Sequence, residues 1–288
     1  MKKVFLLLPL FAICLGGHVI SPVKKELTKE DVIKLYNDYY LASEIDSIPW
    51  KGSIENCDPG TIPTDLSLKA EKRVNFFRLV NYLPTIAFKK EYNELAQSAA
   101  FICLVNKELS HYPPKTWKCY TEDAAKGAVS SNLGFSDFKF YKSTAFVTGL
   151  IQEFGDANSY CGHRRWMLYS KAKEMGYGAT YKSEALYVMG YDNSLKLENE
   201  FIAYPWNGYV PVNLIYPKWS FSIPEHHIVN FDKCKVTVKD DTGKNYNFTL
   251  YEQHKNYIDH SIVWEMTDLF TKEERDYTKN NLKQKGFV

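Results

Sequence analysis

Pro113 and Pro114 stand directly after Leu109-Ser110-His111-Tyr112 and forbid a helix from running past them. Proline has no backbone donor, and its ring clashes with the turn before it. Upstream the pattern is helical from about Phe88 to Leu109, with Leu95, Ala99, Ile102 and Asn106 on one face beside the small Ala96, Ala100 and Cys103. Those small residues let another element approach closely, and the expected helix exit presents His111. A second histidine lies in Cys161-Gly162-His163-Arg164-Arg165-Trp166. Between the two, a helical stretch from Ser143 to Phe154 carries Glu153 in its last turn. Gly155, Asp156, Asn158 and Gly162 then mark a loop leading to His163. A fold that gathers His111, Glu153 and His163 makes a polar cleft in a chain whose aromatic content is 15%.

Lys2 and Lys3 precede an apolar run from Val4 to Leu15, followed by Gly16-Gly17-His18. A basic start, a short apolar core and small exit residues predict a secretory signal peptide over residues 1–17, cleaved around Gly16 to His18. A buried first strand is the alternative; a lipid anchor on Cys14 is disfavoured by the bulky Ile13 before it. The run is short for a bilayer, and no later segment has the length or freedom from charge to cross one, so no transmembrane segment is expected in the mature chain. The 288 residues carry a formal charge of +2, and loss of Lys2 and Lys3 leaves the chain near neutrality. A nucleic-acid partner, which calls for a concentrated basic footprint, is not expected. With Cys14 gone, Cys57, Cys103, Cys119, Cys161 and Cys234 remain, an odd set that leaves at least one thiol unpaired in a monomer. Cys119 and Cys161, flanking the two histidine motifs, are the favoured disulfide pair. Asn247-Phe248-Thr249 is a glycosylation acceptor in a host that modifies such sites.

Thr28 and Asp31 suggest a capping box ahead of the helically spaced Val32, Leu35, Tyr36 and Tyr39. Further helices are expected over Leu68 to Tyr82 and Glu122 to Val129. Trp166-Met167-Leu168 reads as the start of a core strand, and Ala185 to Met189 as a strand. Helical periodicity fades after about residue 195. Val236 and Val238, the turn Asp241-Thr242-Gly243, and Tyr246, Phe248 and Leu250 form a hairpin signature, and Ser261 to Trp264 is another strand. The expected division is therefore an N-terminal helix and connection over 18–65, a helical and strand-bearing domain over 66–195, a β-rich domain over 196–270 and a charged tail over 271–288. Thr271 and Glu274 suggest a second capping box at the start of that tail.

Asn75-Phe76-Phe77-Arg78, the alanine-rich helix ending at Ser110-His111, Pro113-Pro114-x-x-Trp117-x-Cys119-Tyr120, Ser131-Asn132-Leu133 and Gly162-His163-Arg164-Arg165-Trp166 form an ordered set. This set resembles the CAP superfamily, the SCP-like extracellular proteins, over roughly Lys69 to Tyr191. Trp206-Asn207-Gly208-Tyr209-Val210-Pro211 and Trp219-Ser220-Phe221-Ser222 resemble a C-terminal β extension of some bacterial-type members. The resemblance implies an α+β protein: a CAP-like α-β-α sandwich followed by a smaller β-rich domain. It also implies a central cleft with two histidines and two acids. His111 and His163 match the histidines, and Glu153 matches the acid before the second of them. The other acid, usual in a Glu-Asn-Leu context, falls at Ser131. Ser131, Asn132 and Arg164 are the expected lining.

Neutral imidazoles are good ligands for zinc or another divalent cation, and a nearby carboxylate can ligate or hold a tautomer. His111 and His163, with Glu153 nearby, are thus the candidate metal ligands, and the same three are the candidate catalytic residues of a metal-assisted hydrolase. No nucleophile accompanies them: Ser131 lacks a nucleophile-elbow context, and Cys161 would serve only if reduced. Arg164 and Arg165, read as consecutive residues of an extended segment, point to different sides, one of them toward Glu71 or Glu94. The expectation is a secreted binding or interaction protein whose ligand is an extracellular protein, glycan, lipid or sterol. A divalent-metal-assisted hydrolase and a structural protein of the cell envelope are the alternatives.

Overall fold

The computed structural model of the chain describes residues 5–8, 13–14, 26–135, 143–155, 158–197, 200–227, 229, 231, 234–252 and 258–275. In the stretch expected to be a leader, Phe5–Leu8 (β1) and Ile13–Cys14 (β2) are short strands, while Lys2, Lys3 and the Gly16-Gly17-His18 exit lie outside the described residues. Thr28 and Asp31 form the expected capping box ahead of Lys29–Leu35 (α1). The Thr28 hydroxyl accepts the Asp31 N–H at 3.1 Å, and the Asp31 carboxylate accepts the Thr28 N–H at 3.0 Å. Proline and glycine then direct the chain into a hairpin of Lys51–Ser53 (β3) and Asp58–Thr61 (β4).

The sandwich follows in the order Thr64–Leu79 (α2), Ala87–Phe88 (β5), Lys90–Asn106 (α3), Glu122–Val129 (α4), Ser131–Phe135 (β6), Ser143–Gln152 (α5), Gly162–Met167 (α6), Ala172–Ala179 (β7) and Ser183–Tyr191 (β8). The strands assemble in the order β5-β7-β8-β6, antiparallel except for β5 beside β7. Alternation along β8 separates the layers. Ala185 and Tyr187 pack with Ala96, Ala100 and Cys103 of α3 and Ala124 and Ala128 of α4. Leu186 and Val188 face the larger core of Phe76, Phe77, Val147 and Ile151 from α2 and α5. This is the expected α-β-α sandwich.

The small residues of α3 do bring it against the sheet, and β7 matches them with glycines. A Cβ on Gly178 would stand 2.1 Å from the backbone nitrogen of Gln97, and one on Gly176 would stand 2.2 Å from the carbonyl carbon of Tyr92. Gln97 seals the contact by donating to the Ala179 carbonyl and accepting the Ala179 N–H, each at 3.0 Å. Gly178→Ala must push helix from sheet, because the obstacle is backbone. It is expected to cost about 1–3 kcal/mol, the usual range for overpacking, and a variant melting at the wild-type temperature would show the approach to be looser than this.

Three local expectations need correction. α3 stops before the prolines: Lys107 turns left-handed (φ 55°), and the Glu108 N–H returns to the Cys103 carbonyl at 3.3 Å. His111 therefore sits in the following loop and not at the helix exit. Trp166-Met167 belongs to α6 and not to a strand, since the Arg165 and Leu168 N–H groups close helical turns onto the Cys161 and Arg164 carbonyls at 3.0 and 2.9 Å. The hairpin expected over Val236 to Leu250 is reduced to one bridge, Lys239 with Asn245, around the Asp240–Gly243 turn.

The C-terminal part contains Ile202–Tyr204 (β9), Gly208–Pro211 (β10), Lys218–Ile223 (β11), Cys234–Lys235 (β12), Phe248–Leu250 (β13), His260–Met266 (β14) and the short Lys272–Arg275 (α7). Thr271 and Glu274 cap α7 as expected, with the Glu274 carboxylate accepting the Thr271 N–H at 3.0 Å. The charged tail beyond Arg275 lies outside the described residues. The second sheet has the order β13-β14-β11-β9, with Trp219 opposite Trp264 and Phe221 opposite Ile262. β10 pairs with β1, and β12 with β2. One face of the sheet has its own core of Trp219, Phe221, Ile262 and Trp264, but Ile202, Tyr204 and Trp206 join the larger core of the sandwich. Among the described residues no helix is long and apolar enough to cross a membrane.

Candidate functional site

α5 ends at Gln152, so Glu153 falls just beyond the helix that was expected to hold it in its last turn. Its N–H still bonds the Gly149 carbonyl at 3.1 Å, but its φ of 57° is left-handed, as is that of Gly155 at 83°. This reversal drives the Glu153 carboxylate inward, where its side chain is fully buried. Both oxygens are used. Oε1 accepts the Arg164 N–H at 2.7 Å, and Oε2 faces His163 Nδ1 at 2.9 Å. A carboxylate only accepts, so the network assigns the Nδ1 proton to His163 and leaves Nε2 with a lone pair when the ring is neutral. Burial of the imidazole disfavours its charged form, but the hydrogen bond and charge of Glu153 together outweigh that and raise the His163 pKa above 6.5.

His111 is anchored in the same way by a different partner. Its Nδ1 donates to the Ala128 carbonyl at 2.9 Å, on the last turn of α4, and the ring is exposed. Asn132 is buried and donates to the His163 carbonyl at 3.2 Å. The two histidines are thus tied to the two ends of the short α4–β6 junction, Ala128 to Asn132. Ser131 lies within it, buried, and its hydroxyl makes no hydrogen bond to the described residues. Among the described residues no group of three or more histidine, cysteine, aspartate or glutamate side chains is placed to hold a metal ion. His111, Glu153 and His163 therefore do not make up a three-ligand zinc set, and the serine at position 131 adds no carboxylate to it.

Arg164, expected to line the cleft, is buried, and its guanidinium is committed to interior partners. Nε donates to the Ile151 carbonyl at 2.7 Å, and the other guanidinium nitrogens reach Ser220 Oγ at 3.1 Å and the Lys218 carbonyl at 2.9 Å. Arg165 donates to the Asp259 carbonyl at 2.9 Å. Both arginines sit on a helix and not on an extended segment, and both reach the C-terminal part, Arg164 at Lys218 and Ser220 and Arg165 at Asp259. Glu71 accepts the Phe88 N–H at 2.6 Å, and Glu94 pairs with Lys90 at 3.4 Å.

The disulfide also differs from expectation. Cys119 bonds Cys57, with 5.2 Å between their Cα atoms, within the normal range for a bridge. Both residues are left-handed, at φ 61° and 51°, at turns that face each other across the β3–β4 hairpin and the loop carrying His111. Cys161 is a free, buried thiol, and burial pushes its pKa up to about 11. It is a protonated group and not an activated nucleophile.

Lys218 was missed in the sequence, because only the folded strand marks it. It opens a strand whose six residues are all buried, so its charge had to find internal partners. Burial lowers its pKa below the ordinary lysine value. Its ammonium donates to the Glu153 carbonyl at 2.7 Å and to the Gly155 carbonyl.

Comparison with known proteins found no matching curated protein and no matching solved structure. The family model of the cysteine-rich secretory proteins, CAP, matches residues 72–191. That span contains the sandwich from the second half of α2 to β8, both anchored histidines, Glu153 and the serine-bearing junction. Over residues 72–191 this chain is thus similar to the CAP family of cysteine-rich secretory proteins.

Proposed function

We propose that this chain is a secreted binding protein of the CAP type, exported with loss of residues 1–17, whose ligand site is the cleft bounded by His111, His163 and the α4–β6 junction. The Glu153–His163 pair carries the reading. Glu153 commits both oxygens to fixing a ring and a backbone N–H, a role of orientation that leaves no free oxygen for proton transfer. The neighbouring nucleophile candidates are a protonated thiol at Cys161 and an enclosed hydroxyl at Ser131. Recognition is therefore favoured over catalysis.

The cleft also has an apolar lip. Tyr112 is 80% exposed, and Leu109 and Val129 are exposed beside His111 and its Ala128 anchor. Apolar surface beside two imidazoles suits a ligand with an apolar body and a hydrogen-bonding group, a description met by a lipid, a sterol or a segment of an extracellular protein. Capture from native secretions by the full chain tests this reading. His111→Ala with His163→Ala is expected to weaken capture about tenfold or more, equivalent to about 1.4 kcal/mol, with the circular dichroism spectrum unchanged. Capture that is unaffected by both replacements, or no specific capture at all, sinks the proposal. Stable cofractionation with wall or membrane in place of free secretion would favour a structural role.

A further inference from the structure

Lys218 lies outside the span matched by the family model, yet it reaches the centre of the candidate site. The carbonyls that it binds, those of Glu153 and Gly155, straddle the left-handed reversal at the exit of α5. A helix end leaves carbonyls without intrahelical partners, and a cation there also meets the favourable end of the helix dipole. The left-handed conformation is disfavoured for any residue with a Cβ and persists only where the surroundings hold it. Lys218 holds it here together with Asn158, whose side-chain amide donates to the Phe154 carbonyl at 2.7 Å and whose N–H reaches the Gly155 carbonyl at 3.1 Å. Arg164 braces the reversal from the other side through the Ile151 carbonyl and Glu153 Oε1, and its guanidinium lies 4.4 Å from the Tyr204 ring centroid. The other ionisable groups around the ammonium are Cys161, Glu265 and Tyr251; the Tyr251 hydroxyl donates to Glu265 at 2.6 Å, and its ring centroid is 5.8 Å away.

We infer that Lys218 is the positioning residue of the Glu153–His163 pair, fixing the α5 exit so that one carboxylate reaches both His163 Nδ1 and the Arg164 N–H. The C-terminal β layer is thereby a working part of the cleft, because β11 supplies both the Lys218 ammonium and the Ser220 hydroxyl that anchors Arg164. The inference concerns the site proposed above but needs no ligand for its test.

The test is NMR titration of His163 in the full chain, with its signal assigned by comparison with His163→Gln. Lys218→Met keeps the aliphatic stem and removes the charge and donors. Loss of a nearby positive charge alone makes a histidine easier to protonate, whereas a loosened Glu153 makes it harder. The two effects have opposite signs, so direction decides between them. Lys218→Met is expected to bring the His163 pKa down to about 6.5 or below, with near-ultraviolet circular dichroism retained. An unchanged or higher value overturns the inference. Lys218→Arg is expected to keep the raised value, and a fall as deep as that of the methionine variant would assign the effect to packing and overturn it equally. If Lys218→Met does not fold, Lys218→Gln, which keeps an amide donor, is read by the same criterion. The outcome is independent of whether the cleft captures a partner.

Discussion

Replacing Cys57 and Cys119 together with serine is expected to remove about 4 kcal/mol of stability. The bridge spans 62 residues, and closing a loop of that length restricts the unfolded chain by about this amount on the chain-entropy account. The bridge also ties the loop carrying His111 to the β3–β4 hairpin, and that loop contains no helix or strand between Asn106 and Glu122. Its other tethers are His111 on the Ala128 carbonyl, Asn106 accepting the Lys118 N–H at 3.1 Å and donating to the Lys118 carbonyl at 3.2 Å, and the packing of Trp117 and Tyr120 against the core of α3 and α4. Loss of the bridge should therefore appear twice. The urea midpoint should fall, and amide exchange should speed up across residues 107–121 before it does in α3 or β7. Cys161→Ala is the control, since it removes a sulfur but no covalent bond. A double-serine variant with the wild-type midpoint, or one whose exchange accelerates evenly across the molecule, would remove the bridge from this role.

That pairing marks where the sequence stops being legible. Position relative to the histidine motifs favoured Cys119 with Cys161, but a disulfide is decided by the direction of two Cβ atoms, which spacing does not encode. The left-handed turns at Cys57 and Cys119 set those directions. The sandwich was readable because its signals are local and periodic: Ala96, Ala99, Ala100 and Cys103 at helical spacing, and Ala185 to Val188 with alternating faces. The Thr28–Asp31 box was readable for the same reason. α6 was not, because Trp166-Met167-Leu168 is a short apolar run that helix and strand share, and only the closures onto Cys161 and Arg164 decide it. Of the site, the residue types at 111, 153 and 163 were visible in sequence, together with the serine at 131. The clamp behind them was not. Lys218 lies 65 residues from Glu153, and a lysine at the start of an alternating strand reads as an ordinary surface charge until both faces of that strand are covered.

Glu153→Ala is expected to cost about 3–5 kcal/mol, as removal of one member of a buried charged pair does. The reason is the asymmetry of the site: the Arg164 N–H and His163 Nδ1 both lose the carboxylate that accepts them. Glu153→Gln separates charge from hydrogen bonding. Its amide oxygen can still accept the Arg164 N–H, but its NH2 then faces His163 Nδ1, where two donors cannot meet. The ring must move its proton to Nε2 and accept at Nδ1, so that the cleft sees a donor in place of a lone pair. Nitrogen-15 shifts of the imidazole report this exchange of tautomers directly. The pH dependence should change with it. In the wild type the folded pKa of His163 is raised, so the pair contributes in full below the unfolded value of about 6.5 and its contribution is lost as pH rises through the higher folded pKa. In Glu153→Gln burial acts unopposed, the folded pKa drops below the unfolded one, and the contribution of His163 grows as pH rises through that lower window. Stability measured from pH 5 to 8 should therefore differ in slope between the two proteins, with the difference confined to the range in which His163 titrates. Parallel curves, or a glutamine variant that keeps the Nδ1–H tautomer, would mean that Glu153 does not govern the ring.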